Sequence, residues 1–380
     1  MDRRKFLETS ALGAALLAID PLEAVAKPAS FKVSRKEKAK GDYSIVILGD
    51  THFDTEPESV YHSDYDEKVE WLNRLQRAEF KRNGEMWRER CPRMVKRAAG
   101  LVGEDTRMVF QMGDLIQGDC GNPEVHKRML SDVMDYFKNS LGGLPFMTVC
   151  GNHDIRGTKA AAAYDEYMPA RLSEELGRKI SKTTFAFTIG PDAYIFIDFE
   201  RPDAALIEKL LHDTEGARYT FVVVHGPVFP YDASSCRWFL LGRQKYTEQR
   251  LHIRQLFAKR DVIVLCGHTH RVELADWFGD GGRITQMTMN SVWSKDELDH
   301  FILRSRGSAE YGELRKKARN DDGSNIKDET ALFDEYRPGL KRYIHGTGAG
   351  SFKLHVSGHG VVVDFYGGDS EEITESFVLR

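Results

Sequence analysis

Eight side chains in this sequence are of types that bind metal ions or move protons, and they fall in five short segments: Asp50 and His52, Asp114, Asn152 and His153, His225, then His268 and His270. Carboxylate oxygen, amide oxygen and imidazole nitrogen together make the ligand set of borderline divalent cations such as manganese, iron or zinc. Asp50-Thr51-His52 and His268-Thr269-His270 share an i, i+2 spacing. On extended backbone, residues i and i+2 project to the same side, so each pair can converge on one centre. A single Asp or His at the end of a strand is usually a turn or capping residue. Eight of them, each following an apolar run, are not all explained that way.

Those runs are the elements that must position the chemistry. Ser44 to Leu48 leads to Gly49-Asp50, and Met108 to Met112 leads to Gly113-Asp114. Phe146 to Cys150 precedes Gly151-Asn152-His153-Asp154, Phe221 to Val224 precedes His225, and Val262 to Cys266 precedes Gly267-His268-Thr269-His270. Short runs of β-branched and apolar residues read as buried strands. Ligands in open α/β sheets gather beyond the carboxyl ends of such strands. Helical patterns lie between, over Glu67 to Arg90, Val125 to Phe137 and Thr247 to Phe257. Two hairpins are expected, Thr184 to Ile189 with Tyr194 to Phe199, and Phe352 to Val356 with Val361 to Phe365. The stretch 294–350 is rich in charge and reads as a solvated charged face, with a charged insertion beside the site as the alternative.

The order D-x-H, G-D, G-N-H-D, H and G-H-x-H resembles the calcineurin-like metallophosphoesterase superfamily, and every motif is intact between about Asp42 and the final hairpin. The resemblance implies an α/β fold, a four-layer α/β/β/α sandwich of two mixed β-sheets flanked by helices. It also implies two divalent metal ions (manganese, iron or zinc): Asp50, His52 and His270 on the first, Asn152, His225 and His268 on the second, with Asp114 bridging. Two cations about 4 Å apart activate a bridging hydroxide as nucleophile and withdraw charge from phosphoryl oxygens. His153 is expected to act at the leaving group as general acid or charge stabiliser, and Asp154 to orient it through its other ring nitrogen. The expected activity is hydrolysis of phosphate mono- or diesters. The competing reading is a catalytically weak scaffold of this fold that binds a protein or a phosphorylated ligand.

Departures narrow the choice of relative. Purple acid phosphatases place a Tyr three residues after the Asp of G-D, where this chain has Gln117. Protein Ser/Thr phosphatases read G-D-x-x-D-R-G and G-N-H-E, and both differ here. The pattern that remains is the bacterial phosphodiesterase and phosphomonoesterase type.

The bulk numbers set bounds. With 380 residues, 41% hydrophobic and 29% charged, the chain is of ordinary globular composition. A formal net charge of -4 gives no broad basic surface, so no nucleic-acid partner is expected; the resemblance implies a small phosphorylated substrate. At the N-terminus, Arg3-Arg4-Lys5-Phe6-Leu7 precedes a short apolar stretch and Ala24-Val25-Ala26. Residues 1–30 therefore resemble a twin-arginine export signal cleaved near Ala26, leaving a domain over 42–380 in the periplasm or cell envelope with no transmembrane helix in the mature form. The five cysteines lack regular spacing and make no disulfide framework; Cys150 and Cys266 read as buried strand thiols, and one bridge among Cys91, Cys120 and Cys236 is left open.

Overall fold

Five of the apolar runs form strands that end at one rim: β1 (Tyr43–Leu48), β2 (Thr106–Gln111), β3 (Phe146–Thr148), β6 (Thr220–Val224) and β7 (Ile263–Cys266). They come from a computed structural model that describes residues 41–56, 70–230, 239–242, 244–291, 302–311 and 329–380. The leader-like segment, Cys236 and the middle of the charged stretch lie outside the described residues.

Two hairpins flank these strands where expected, β4 (Phe185–Ile189) with β5 (Asp192–Ile197), and β12 (Gly350–Ser357) with β13 (Gly360–Gly367). A third, β8 (Val272–Gly279) with β9 (Gly282–Thr288), follows the last histidine motif directly. The charged stretch contains β10 (Ile302–Arg306) and β11 (Leu340–Thr347), and β14 (Glu375–Val378) closes the chain. One sheet runs β14-β13-β12-β1-β2-β3 and the other β10-β11-β8-β9-β7-β6-β5-β4. Both are mixed: β1, β2 and β3 run parallel, as do β5, β6, β7 and β9, with antiparallel hairpins beside them.

Alternation along the central strands builds two cores from one set of residues. In β5 to β7, Tyr194, Phe196, Phe221, Val223, Ile263 and Leu265 face the first sheet. Their neighbours Ile195, Ile197, Val222, Val224, Val264 and Cys266 face the helix layer formed by α4 (Ala204–Asp213) and α5 (Thr247–Lys259). A strand apolar on both faces reads as a continuous hydrophobic run, which is why these five were visible in the sequence. Phe110 of β2 meets Phe187, Tyr194 and Phe196 edge-on at 6.2, 5.3 and 5.2 Å, locking sheet to sheet. The first sheet is covered outside by α1 (Glu70–Leu101), α2 (Pro123–Ser140) and α3 (Ala160–Leu176). Trp87, Cys91, Met94, Val95, Ala98 and Leu101 of α1 are buried at helical spacing. The layers are thus helix, sheet, sheet, helix. Among the described residues no helix is long and apolar enough to cross a membrane, and Cys91, Cys120, Cys150 and Cys266 are buried free thiols.

Candidate metal centre

Each ligand segment leaves its strand through a sharp turn at the shared rim. His52, Asp114, His268 and His270 have φ of 42, 50, 69 and 51°. Non-glycine residues avoid this left-handed region at a cost of about 1–2 kcal/mol each, so the surrounding bonds must hold them there. Gln111 does much of this. Fully buried at the end of β2, its amide donates to the carbonyls of Gly49 (3.1 Å) and Gly113 (2.7 Å) and its oxygen accepts from Gly113 N–H (2.9 Å). The residues just before Asp50 and Asp114 are thereby tied together. The Asp114 carbonyl accepts from the N–H of Thr51 (3.2 Å) and His52 (2.8 Å), so the first two loops run side by side. Gly113, at φ 86°, has no room for a side chain: a Cβ would stand 2.6 Å from Nδ1 of His225.

The side chains converge in two sets that share one carboxylate. In the first, His52 Nε2 lies 3.5 Å from Asp114 Oδ2 and 3.0 Å from His270 Nε2, which lies 3.0 Å from Asp50 Oδ2. In the second, His225 Nε2 lies 3.2 Å from the same Asp114 Oδ2, 3.0 Å from His268 Nδ1 and 3.3 Å from Asn152 Oδ1. Donors about 2.0–2.2 Å from one cation stand about 3–3.5 Å from one another, which is the spacing seen. The chemistry fits as well. His225 Nδ1 donates to the Met112 carbonyl at 2.8 Å, so once the ring gives up its second proton the lone pair is on the nitrogen turned inward. Asp50, His52, Asp114 and His270 form one group able to hold an ion and Asp114, His225 and His268 another. The seven candidate ligands read from the sequence therefore meet at one place, Asp50, His52, Asp114 and His225 buried and Asn152, His268 and His270 opening toward solvent.

Charge explains why the pocket attracts cations. Burial alone would discharge His225, but Asp114 and Asp50 outweigh it and raise the imidazole to about 10. Burial opposes the charge on Asp114 too, yet His225, His153 and His52 hold its carboxyl well below the usual range. His52 and His268 are pushed down by burial and by neighbouring histidines, so they present neutral nitrogens to an ion.

His153 sits beside the first set, its ring edge-on to His52 at 4.4 Å between centroids. The expectation for Asp154 needs correcting. The ring nitrogen assigned to it, His153 Nδ1, instead lies 2.8 Å from the carbonyl oxygen of Gln117, to which it donates. The Asp154 oxygens accept backbone N–H from Gly151 (2.9 Å) and Ile116 (3.2 Å), while Asp114 Oδ1 accepts His153 N–H (2.8 Å). Asp154 therefore cinches the loops that carry Asp114 and Asn152, and burial followed by Asp114 raises its carboxyl to about 8. A carbonyl partner carries no sequence signal, which is why the error arose.

Sequence reading also missed the aromatic walls. Trp87 of α1 stacks on His52 at 4.5 Å and 18°. Phe199 packs against His225 and His268 at 5.4 and 5.5 Å. Behind the last loop, Glu273 takes Nδ1 of His345 on one oxygen and Thr269 Oγ1 at 3.4 Å on the other. Arg156 pairs with buried Asp119 in an ordinary ion pair.

Residues 43–272 match the calcineurin-like phosphoesterase family model, more than half of the chain, and the protein belongs to that family. Solved structures of similar fold include GAP50, the anchor in the inner membrane complex of Plasmodium (15% identity, 90% of this chain and 89% of that one, TM-score 0.44). PhoD (10% identity, 90% and 70%, TM-score 0.47) and a dimetal phosphatase from Danio rerio (11% identity, 90% and 99%, TM-score 0.47) are others. No curated protein matches the chain in sequence.

Proposed function

We propose that this protein hydrolyses phosphate esters at a dinuclear metal centre held by Asp50, His52, Asp114 and His270 on one side and Asp114, Asn152, His225 and His268 on the other. The observation that carries the reading is the position of Asp114 Oδ2, 3.5 Å from His52 Nε2 and 3.2 Å from His225 Nε2, the single anion between two converging sets. When bound, a pair of divalent cations supplies Lewis acidity toward a phosphoryl oxygen and lowers the pKa of a water molecule.

The chain's own residues do the rest. Asp50 and Asp114 balance the charge of the cations. His153, oriented by the bond from Nδ1 to the Gln117 carbonyl, would in its imidazolium form donate from Nε2 to the leaving-group oxygen of the ester. Gln111 and Asp154 keep the loops in register so that this geometry does not depend on flexible side chains.

Hydrolysis of p-nitrophenyl phosphate or its bis-ester with added Mn²⁺ tests the reading, and two bound ions with no turnover of either would replace it with the scaffold. His153→Ala is expected to retain the metal and lower kcat by about 10²–10⁴-fold; elemental analysis showing lost metal would remove the assigned role. Residues 1–30 support the further proposal of twin-arginine export to the periplasm or envelope. Arg3→Lys with Arg4→Lys should trap the protein in the cytoplasm, and unchanged export would reject that route.

A further inference from the structure

Arg271 follows the candidate ligand His270 directly, and its surroundings differ from those of most other partly buried arginines, though Arg88, bonded to the Glu56 carbonyl at 3.0 Å, is similar. Arg156, Arg201, Arg218, Arg254 and Arg342 each reach a carboxylate: Asp119, Asp198, Asp192, Asp280 and Asp276. Arg97 and Arg260, which lack one in this sense, are occupied by a carbonyl and the Tyr366 ring, and by a carbonyl and a hydroxyl. Arg271 makes one bond, Nη1 donating to the carbonyl of His270 at 3.0 Å, and has no carboxylate within ion-pair distance among the described residues. A guanidinium offers five N–H donors and stays charged at every relevant pH, so most of its capacity is open.

Its place matters as much as its partners. Asp50, His52, Asp114 and His225 are buried, whereas the consecutive residues His268, Thr269, His270 and Arg271 are all partly exposed. That run is the partly exposed part of the last loop, and Arg271 is the fixed cation that ends it. The acidic groups of the centre, Asp50 and Asp114, already face imidazoles.

We propose that Arg271 is a substrate-binding residue that takes a non-bridging phosphoryl oxygen, and that it selects dianionic phosphomonoesters over singly charged phosphodiesters. This rests on the phosphoesterase reading above. A monoester presents three non-bridging oxygens and a diester two, so only the monoester keeps one for the guanidinium when the other two face the metal pocket. Charge-assisted bonds from Arg to phosphate are among the stronger hydrogen bonds in proteins.

The test compares the wild type with Arg271→Gln and Arg271→Lys, each loaded with Mn²⁺. In the Gln variant, kcat/KM for p-nitrophenyl phosphate should fall about 10- to 100-fold while that for bis-p-nitrophenyl phosphate changes less than about threefold. Lys should recover part of the loss, and metal content should stay at the wild-type level. Binding of inorganic phosphate, followed by calorimetry, should weaken in parallel with the monoester loss. Equal losses on both substrates, reduced metal content, or unchanged phosphate affinity would each overturn the proposal. If the wild type turned over neither ester, the phosphoesterase reading would fail, and the phosphate titration would still decide whether Arg271 binds the anion.

Discussion

The sandwich carries a buried polar cluster at each end, and the two use similar residues to opposite ends. At the amino ends of the strands, Asp192 accepts from Arg218 Nε (2.9 Å) and Nη2 (2.6 Å), from Tyr219 N–H (3.2 Å) and from the Tyr43 hydroxyl (2.9 Å). Tyr43 in turn meets the Tyr194 hydroxyl at 2.7 Å, joining the two sheets. The chain supplies every partner, so the cluster is complete. At the carboxyl ends, Asp114 and Asp50 face imidazoles whose inward nitrogens point at one another. That cluster needs cations from outside. Asp192 has a guanidinium as its partner and is a structural tie, whereas Asp114, with Oδ1 on His153 N–H and Oδ2 facing two imidazoles, is a candidate ligand.

Exchanging the charge at each end should separate the two roles most sharply. Asp114→Asn is expected to lose bound metal and lower kcat by more than about 10³-fold, with a modest change in stability. Asp192→Asn should cost about 1.5–3 kcal/mol in denaturant unfolding because Arg218, Tyr219 N–H and the Tyr43 hydroxyl lose their charged acceptor, yet keep metal and turnover in the folded fraction. Metal loss in the second variant but not the first would break the contrast. Next in size, Gln111→Leu should weaken metal affinity about 10- to 100-fold without touching a ligand, as changes behind first ligands commonly do. An unchanged affinity by chelator competition would show that the loops hold themselves.

Acidity sharpens the same comparison. In the ion-free protein His225 is raised from 6.5 to about 10. Stability from that proton is fully present below pH 6.5 and lost as pH rises through about 10. A divalent ion must displace the proton, so its affinity should rise over this window, with proton release visible as buffer-dependent heat. The smallest effect is expected from Tyr43→Phe, about 1–2 kcal/mol of stability for the two hydroxyl bonds to Asp192 and Tyr194, with kinetics unaltered.

Much of this was legible in advance because central strands are apolar on both faces and end in ligands, which makes β1, β2, β3, β6 and β7 stand out. The outer strands did not. In β11, Arg342 and His345 fall in the stretch that reads as a solvated charged face, but they pair with Asp276 and Glu273 of β8 across the ladder. Pairing of that kind depends on register, which a charge count does not contain. Helix α3 was missed with Pro169 inside it, a residue that ordinarily argues against a helix interior. At the site, ligand identities follow from residue type and order. What holds them, the Gln111 amide, the Gln117 carbonyl and the Trp87 ring, follows only from folding.

The division of the cage between the sheets has a kinetic consequence. Asp50, Asp114 and Asn152 hang from one sheet, and His225, His268 and His270 from the other. An incomplete fold with only one sheet formed offers half a coordination sphere, so ions load last, after docking. Refolding with a chelator present should therefore leave early collapse at its normal rate and remove only the terminal gain, about 2.7 kcal/mol at an ion concentration 100 times the dissociation constant.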